Sequence, residues 1–123
     1  MELEQITEKI IGCAYKVANT LGNGFLEKVY ENALAHEIRK TGLTVEQQSP
    51  VPVMYDGVVV GDYVADLIVS DNVLIELKAV KELDNVHKAQ CINYLKATGM
   101  KLCLLINFGQ EKVQIKRITN NFL

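Results

Sequence analysis

Tyr63-Val64-Ala65-Asp66-Leu67-Ile68-Val69-Ser70-Asp71-Asn72-Val73-Leu74-Ile75-Glu76-Leu77-Lys78 is the stretch on which the fold turns. Two apolar, β-branched runs flank Ser70-Asp71-Asn72, residue types suited to a tight turn, so the stretch reads as a hairpin. Asp66 interrupts the first run, and ten residues later Glu76 and Lys78 interrupt the second. Side chains alternate faces along a strand, so Glu76 and Lys78 point the same way, about 6.6 Å apart. With a loop of three residues, Val69 faces Val73 and Asp66 falls opposite Glu76, their Cβ atoms roughly 5 Å apart. A loop of two would slip the register and send the acids to opposite faces.

Working outward, Val45 to Tyr55 is strand-like but holds Pro50 and Pro52, the mark of an interrupted, bulged or edge strand. Asp56-Gly57 is a hairpin signal leading into Val58 to Val69, and the strand after the quoted turn is expected over Val73 to Val80. Towards the N-terminus, Leu3, Ile6, Ile10, Ala14, Val17 and Leu21 recur at a helical period, ended by Gly22-Asn23-Gly24. A second helix is expected from about Phe25 to Lys40, stopped by Thr41-Gly42. Downstream, a helix fits Asn85 to Thr98, followed by a strand over Lys101 to Phe108, a turn at Gly109-Gln110-Glu111 and a last strand at Val113 to Ile118. Tight turns make the first three strands antiparallel, and the crossover helix lets the next run parallel to its neighbour. The predicted class is therefore α/β: one domain over residues 1–123, with a mixed sheet (antiparallel meander plus crossover strand) flanked by helices.

With 49% apolar and 23% charged residues, the chain has the composition of a globular protein. No apolar run approaches the ~20 residues of a membrane span, and the acidic N-terminus lacks the pattern of a secretion signal. Cys13, Cys91 and Cys103 are odd in number and hold no CxxC pair, so they read as reduced, packed cysteines in a cytoplasmic protein. A net charge of −2 gives no global footprint for a polyanion. A local basic rim remains open, since Lys78, Lys81, Lys88, Lys96 and Lys101 fall within one stretch.

Two carboxylates this close on a buried sheet repel each other unless something positive lies between them. A divalent cation answers that need, and oxygen-only ligands suit Mg²⁺ or Mn²⁺ rather than zinc. Lys78 would then hold the attacking water or neutralise a phosphate oxygen. The plainer alternative is a buried acid–lysine ion pair without catalysis. On the third predicted helix, Gln90 and Tyr94 lie one turn apart at the edge of the Cys91, Ile92, Leu95 stripe, where polar tips can reach a cleft. On the second, Glu27 shares a side with Leu34 and Ile38, near the buried boundary, and Tyr30 reads as a partner that orients Glu27 or packs on the sheet.

Asp66 followed by Glu76-Leu77-Lys78 resembles the motif of PD-(D/E)XK nucleases, with Ala65 where their proline stands. Gln90 and Tyr94 look like the QxxxY motif of the RecB-like branch of that superfamily. Gly24-Phe25-Leu26-Glu27-Lys28-Val29-Tyr30 matches the signature of the GxxExxY family, a resemblance that spans essentially the whole chain. The resemblance implies a restriction-endonuclease-like core and a metal-dependent nuclease acting on nucleic acid, DNA before RNA. It implies Mg²⁺ or Mn²⁺ held by Asp66, Glu76 and Glu27, and catalysis by Asp66, Glu76, Lys78 and Gln90. Tyr30 and Tyr94 would support the site or contact nucleic acid. Two other readings stay open: an inactive nuclease fold serving as a binding or assembly module, and a hydrolase of small phosphate esters. A core this small commonly needs a second copy or a protein partner to grip a duplex, which makes the Pro-containing strand and first helix candidate contacts. His36 and His87 read as surface histidines, Asp62 and Asp71 as turn residues, and Tyr30 and Tyr94 make no stacking platform for single strands.

Overall fold

The computed structural model describes residues 1–120. In chain order the elements are α1 (Leu3–Leu21), α2 (Glu27–Lys40), β1 (Val45–Tyr55), β2 (Val58–Val69), β3 (Val73–Lys78), α3 (Asn85–Thr98), β4 (Leu102–Asn107) and β5 (Gln114–Thr119). The strands form one sheet in the order β1-β2-β3-β4-β5, antiparallel throughout except for the parallel pair β3 and β4. This is the mixed sheet expected from the crossover helix. α1 and α2 bury Ile10, Val17, Leu34 and Ile38 on one face together with Ile75, Leu77 and Leu104. α3 covers the other face with Cys91, Tyr94 and Leu95 against Leu74, Cys103 and Leu105. β3 and β4, covered on both sides, are apolar at nearly every position, as a parallel pair in the middle of a sheet must be. All three cysteines are buried and unpaired. Among the described residues no helix is long and apolar enough to cross a membrane.

Several boundaries differ from expectation. α2 begins at Glu27 rather than Phe25, β3 ends at Lys78 rather than Val80, β4 runs Leu102–Asn107 and β5 Gln114–Thr119. Asp62 is no turn residue: it lies within β2, opposite Pro52. Asp71 does occupy a turn, with φ 58°.

What positions the site is the way β2 leaves β3. Their ladder pairs Val69 with Val73, Ile68 with Leu74 and Leu67 with Ile75, and there it stops. Leu67 and Val69 pack on the α1–α2 side, whereas Ala65 joins the α3 side, so the alternation of faces breaks at Asp66. Across on β1, Gln48 takes φ 51°, a left-handed conformation unusual for a residue with a Cβ. Beyond this break β1 and β2 continue together as a two-stranded arm, whose end exposes Met54, Tyr55, Val58, Val59 and Val60.

Candidate active site

At the fork between β2 and β3, side chains take over from the ladder. The Asp66 N–H donates to Glu76 Oε1 at 3.3 Å, and the Leu77 N–H donates to Asp66 Oδ2 at 2.8 Å. Each acid thus accepts a main-chain N–H from the other strand, and both carboxylates are fixed where the strands separate. The three-residue loop and the Val69–Val73 pair follow the expected register, but the ladder ends at Leu67–Ile75, so Asp66 and Glu76 meet through these side-chain bonds and not as a ladder pair. Glu76 is 2% exposed. Burial first, and the charge of Asp66 second, push its carboxyl up to about 9.

Lys78 ends β3, half-buried, and its backbone is held from β4: the Phe108 N–H donates to the Lys78 carbonyl at 2.8 Å. Just beyond, the buried Asn107 amide brackets Val80, accepting its N–H at 3.0 Å and donating to its carbonyl at 2.9 Å. These bonds end β3 two residues early. A Cβ at Gly109 would run into the Val80 backbone, so the chain must pass there as glycine.

Asp66 is also held from β1. Gln48 Nε2 donates to Asp66 Oδ1 at 3.3 Å and to Glu31 Oε1 at 2.7 Å. Glu31, on α2 and buried, takes further bonds from Gln47 at 2.8 Å and Lys28 at 2.9 Å on its other oxygen. Neither Gln48 nor Glu31 stands out in the sequence: a polar residue in an edge strand and an acid in an amphipathic helix are ordinary, and only the tertiary contact gives them a role.

Glu27 is the first residue of α2, at the mouth of this arrangement. The residue as a whole is exposed, while its carboxyl is partly desolvated. Desolvation raises its carboxyl pKa, with Lys78 pulling it down and Asp66 and Glu31 pushing it up, so its charge is felt across the fork. Tyr30, one turn on, is fully buried and has no access to nucleic acid. Its hydroxyl donates to the Gly22 carbonyl at 2.6 Å and accepts from the Phe25 N–H at 3.2 Å. Its ring stacks on Phe108 at 4.8 Å and 3°. The loop between α1 and α2, turned at Gly24 with φ 115°, is therefore stapled to Phe108 just after β4, the residue whose N–H holds the Lys78 carbonyl. That is a physical reason for the glycine–acid–tyrosine spacing.

α3 supplies the remaining wall. A cleft of about 500 Å³ lies over Lys78, lined by His87, Gln90, Asn93, Tyr94 and Tyr63. Gln90 donates to the Tyr94 hydroxyl at 3.4 Å, and that hydroxyl donates to the Val64 carbonyl at 3.1 Å. Burial, and then Glu76, push the Tyr94 phenol up to about 12, so it remains a donor. His87 lines the cleft rather than standing on the open surface. Its Nδ1 accepts the Asp84 N–H at 3.2 Å within the capping box of α3, which leaves the proton of the neutral ring on Nε2. Among the described residues, no three histidine, cysteine, aspartate or glutamate side chains stand close enough to hold a metal ion between them. Lys78, Gln90 and Tyr94 share the cleft wall, Asp66 and Glu76 are clasped to each other at the fork of β2 and β3, and Glu27 stands at the start of α2.

A family model described as the PD-(D/E)XK nuclease superfamily matches residues 4–118. Among solved structures, the chain is similar to an alkaline exonuclease, LHK-Exo, from Laribacter hongkongensis. Identity is 15% and the TM-score 0.54, over 94% of this chain and 82% of that one. The complex of LHK-Exo with dAMP gives 14% identity and 0.54, over 94% and 83%. The structure of SSO0001 gives 18% and 0.57, over 95% of this chain and 59% of that one, so the chain spans about three fifths of that protein. At such identities the likeness is one of fold. No curated protein matches the chain.

Proposed function

Because the chain belongs to the PD-(D/E)XK nuclease superfamily, we propose that it hydrolyses phosphodiester bonds of nucleic acid, DNA in the first place, with the help of Mg²⁺ or Mn²⁺. The observation that carries this reading is the clasp at the fork. Two carboxylates are fixed against each other, and the buried one is pushed up to about 9 in part by its neighbour's charge. Such a pair is relieved by a hard divalent cation, and a donor set of oxygen alone suits Mg²⁺ or Mn²⁺. Asp66 and Glu76 would hold the ion, with Glu27 reaching it from the mouth through water. The ion, when bound, supplies Lewis acidity towards the phosphate and a lower pKa for water. Lys78 holds the attacking water and offsets charge that develops on the phosphate oxygens. Gln90 orients the end of β3 from the cleft wall, Tyr94 stays protonated and fixes that wall to β2, and Tyr30 sets the position of Glu27 by stapling the loop before it.

Incubation of the purified protein with linear, circular and single-stranded DNA, in Mg²⁺, Mn²⁺ or EDTA, tests this reading. Cleavage is expected with metal only, and a loss of about a hundredfold or more in both Asp66→Ala and Lys78→Ala. Cleavage that survives both substitutions would come from another protein. Absence of cleavage and of metal binding in the intact protein would leave a nuclease fold acting as a binding or assembly module.

A further inference from the structure

We propose that the groove between α3 and the β1–β2 arm is a track for one unpaired nucleic-acid strand, with the exposed ring of Tyr63 as its stacking platform. This rests on the nuclease reading and goes beyond it by naming where the strand runs and in what form it is bound. The cleft of about 500 Å³ over Lys78 does not end at α3: a second hollow of about 400 Å³, reaching Val53, Met54 and Lys96, adjoins it. The two share Tyr63 and Asn93, so they adjoin there, and their linings follow α3 from His87 to Lys96 with Lys78 at the near end. From His87 to Lys96 the helix rises about 13 Å, the reach of roughly four stacked nucleotides.

The chemistry along the groove fits a strand whose bases are unpaired. A lysine stands at each end, on a protein whose overall charge of −2 would otherwise repel a polyanion. Asn93, exposed one turn beyond Gln90, offers an amide to base edges or phosphate. Between them lies Tyr63, 48% exposed although it is an aromatic residue, and outside both apolar cores. The buried Tyr94 ring meets it edge-on at 5.7 Å and 87°, and Tyr94 is itself anchored to the Val64 carbonyl. Tyr63 is thus in contact with an anchored ring and still about half exposed, as a stacking surface must be. In a duplex every base face is already covered by its neighbours, so only an unpaired base gains by lying on that ring. Tyr30 and Tyr94 are themselves buried and make no such platform; the residue that meets the requirement is Tyr63 on β2, beside Tyr94.

Binding measured in EDTA separates the track from cleavage. Fluorescence anisotropy of a labelled short oligothymidylate, beside a labelled duplex of equal length, is expected to show tighter binding of the single strand. Tyr63→Leu, which keeps apolar volume but removes the ring, should weaken that binding roughly tenfold, and Tyr63→Phe should leave it intact. Circular dichroism and the melting temperature check that each variant is folded. Equal affinity of Tyr63→Leu and wild type for the oligothymidylate, or tighter binding of duplex than of single strand, overturns the proposal. Repeating the comparison with Mg²⁺ separates the two readings. Ring-dependent binding without any cleavage retains the track and sinks the nuclease reading. Cleavage with no dependence of binding on Tyr63 does the reverse.

Discussion

Glu76 is where burial and charge oppose each other most directly. Its carboxyl is pushed up to about 9 from an ordinary 4.5. Between those values the folded protein keeps a proton that the unfolded chain gives up, so stability falls as pH rises through the window. In EDTA, the melting temperature should therefore drop by several degrees between about pH 5 and pH 9. Glu76→Gln should flatten that slope, and Mg²⁺ should lessen the drop by replacing the proton. A melting temperature that rises over the same range would contradict this account. Gln48 gives a second prediction at this scale. Gln48→Leu strips a donor from the buried Glu31 and from the half-buried Asp66, and an unsatisfied buried acceptor such as Glu31 Oε1 costs about 1–3 kcal/mol. Urea denaturation should register a loss of that order, and calorimetry a weaker affinity for Mn²⁺. Unchanged metal affinity would reduce Gln48 to a structural residue. Asp66, Glu76 and Lys78 were legible because a charge inside an apolar strand demands an explanation. Gln48, Glu31, His87 and Tyr63 were not, since each looks ordinary until a second element comes against it.

At the scale of elements, the hydrophobic period and turn residues located every helix and strand, and the discrepancies lie at ends that tertiary bonds decide. α2 starts late because Gly24, Phe25 and Leu26 form the turn that Tyr30 closes from within the helix. β3 stops at Lys78 because the Asn107 side chain takes the Val80 N–H and carbonyl that a longer ladder would have used. No local pattern announces an asparagine at the end of the next strand, 27 residues on. This clamp also makes Gly109 the most constrained glycine of the fold. Gly109→Ala places a Cβ against the Val80 backbone, and overpacking of this kind costs about 1–3 kcal/mol. Because the displaced segment leads directly from Lys78, cleavage should suffer more than an equal destabilisation elsewhere would cause. The comparison is with Ile10→Val in α1, matched for stability by denaturation and assayed for cleavage rate. Equal activity in the two variants would show that the clamp serves folding alone.

On the scale of the whole molecule, the net charge of −2 and the placement of lysines make a quantitative claim about how a polyanion is held. A protein that grips nucleic acid over a broad basic surface releases many counterions, and its affinity collapses with salt. Here the groove brings only Lys78 and Lys96 to its ends, while Lys81, Lys88 and Lys101 stand exposed elsewhere on the surface. Two phosphate contacts to a single strand correspond to a slope of about −1.4 in log affinity against log salt, or roughly a 25-fold loss for a tenfold rise in salt. Anisotropy titrations of oligothymidylate over that range should give this shallow dependence. Lys96→Ala should remove about 0.7 of the slope, while Tyr63→Leu lowers affinity at every salt concentration and leaves the slope alone. A steep slope, near −4 or beyond, would mean that the outlying lysines share the load, and that binding is spread over the surface instead of being concentrated in the groove.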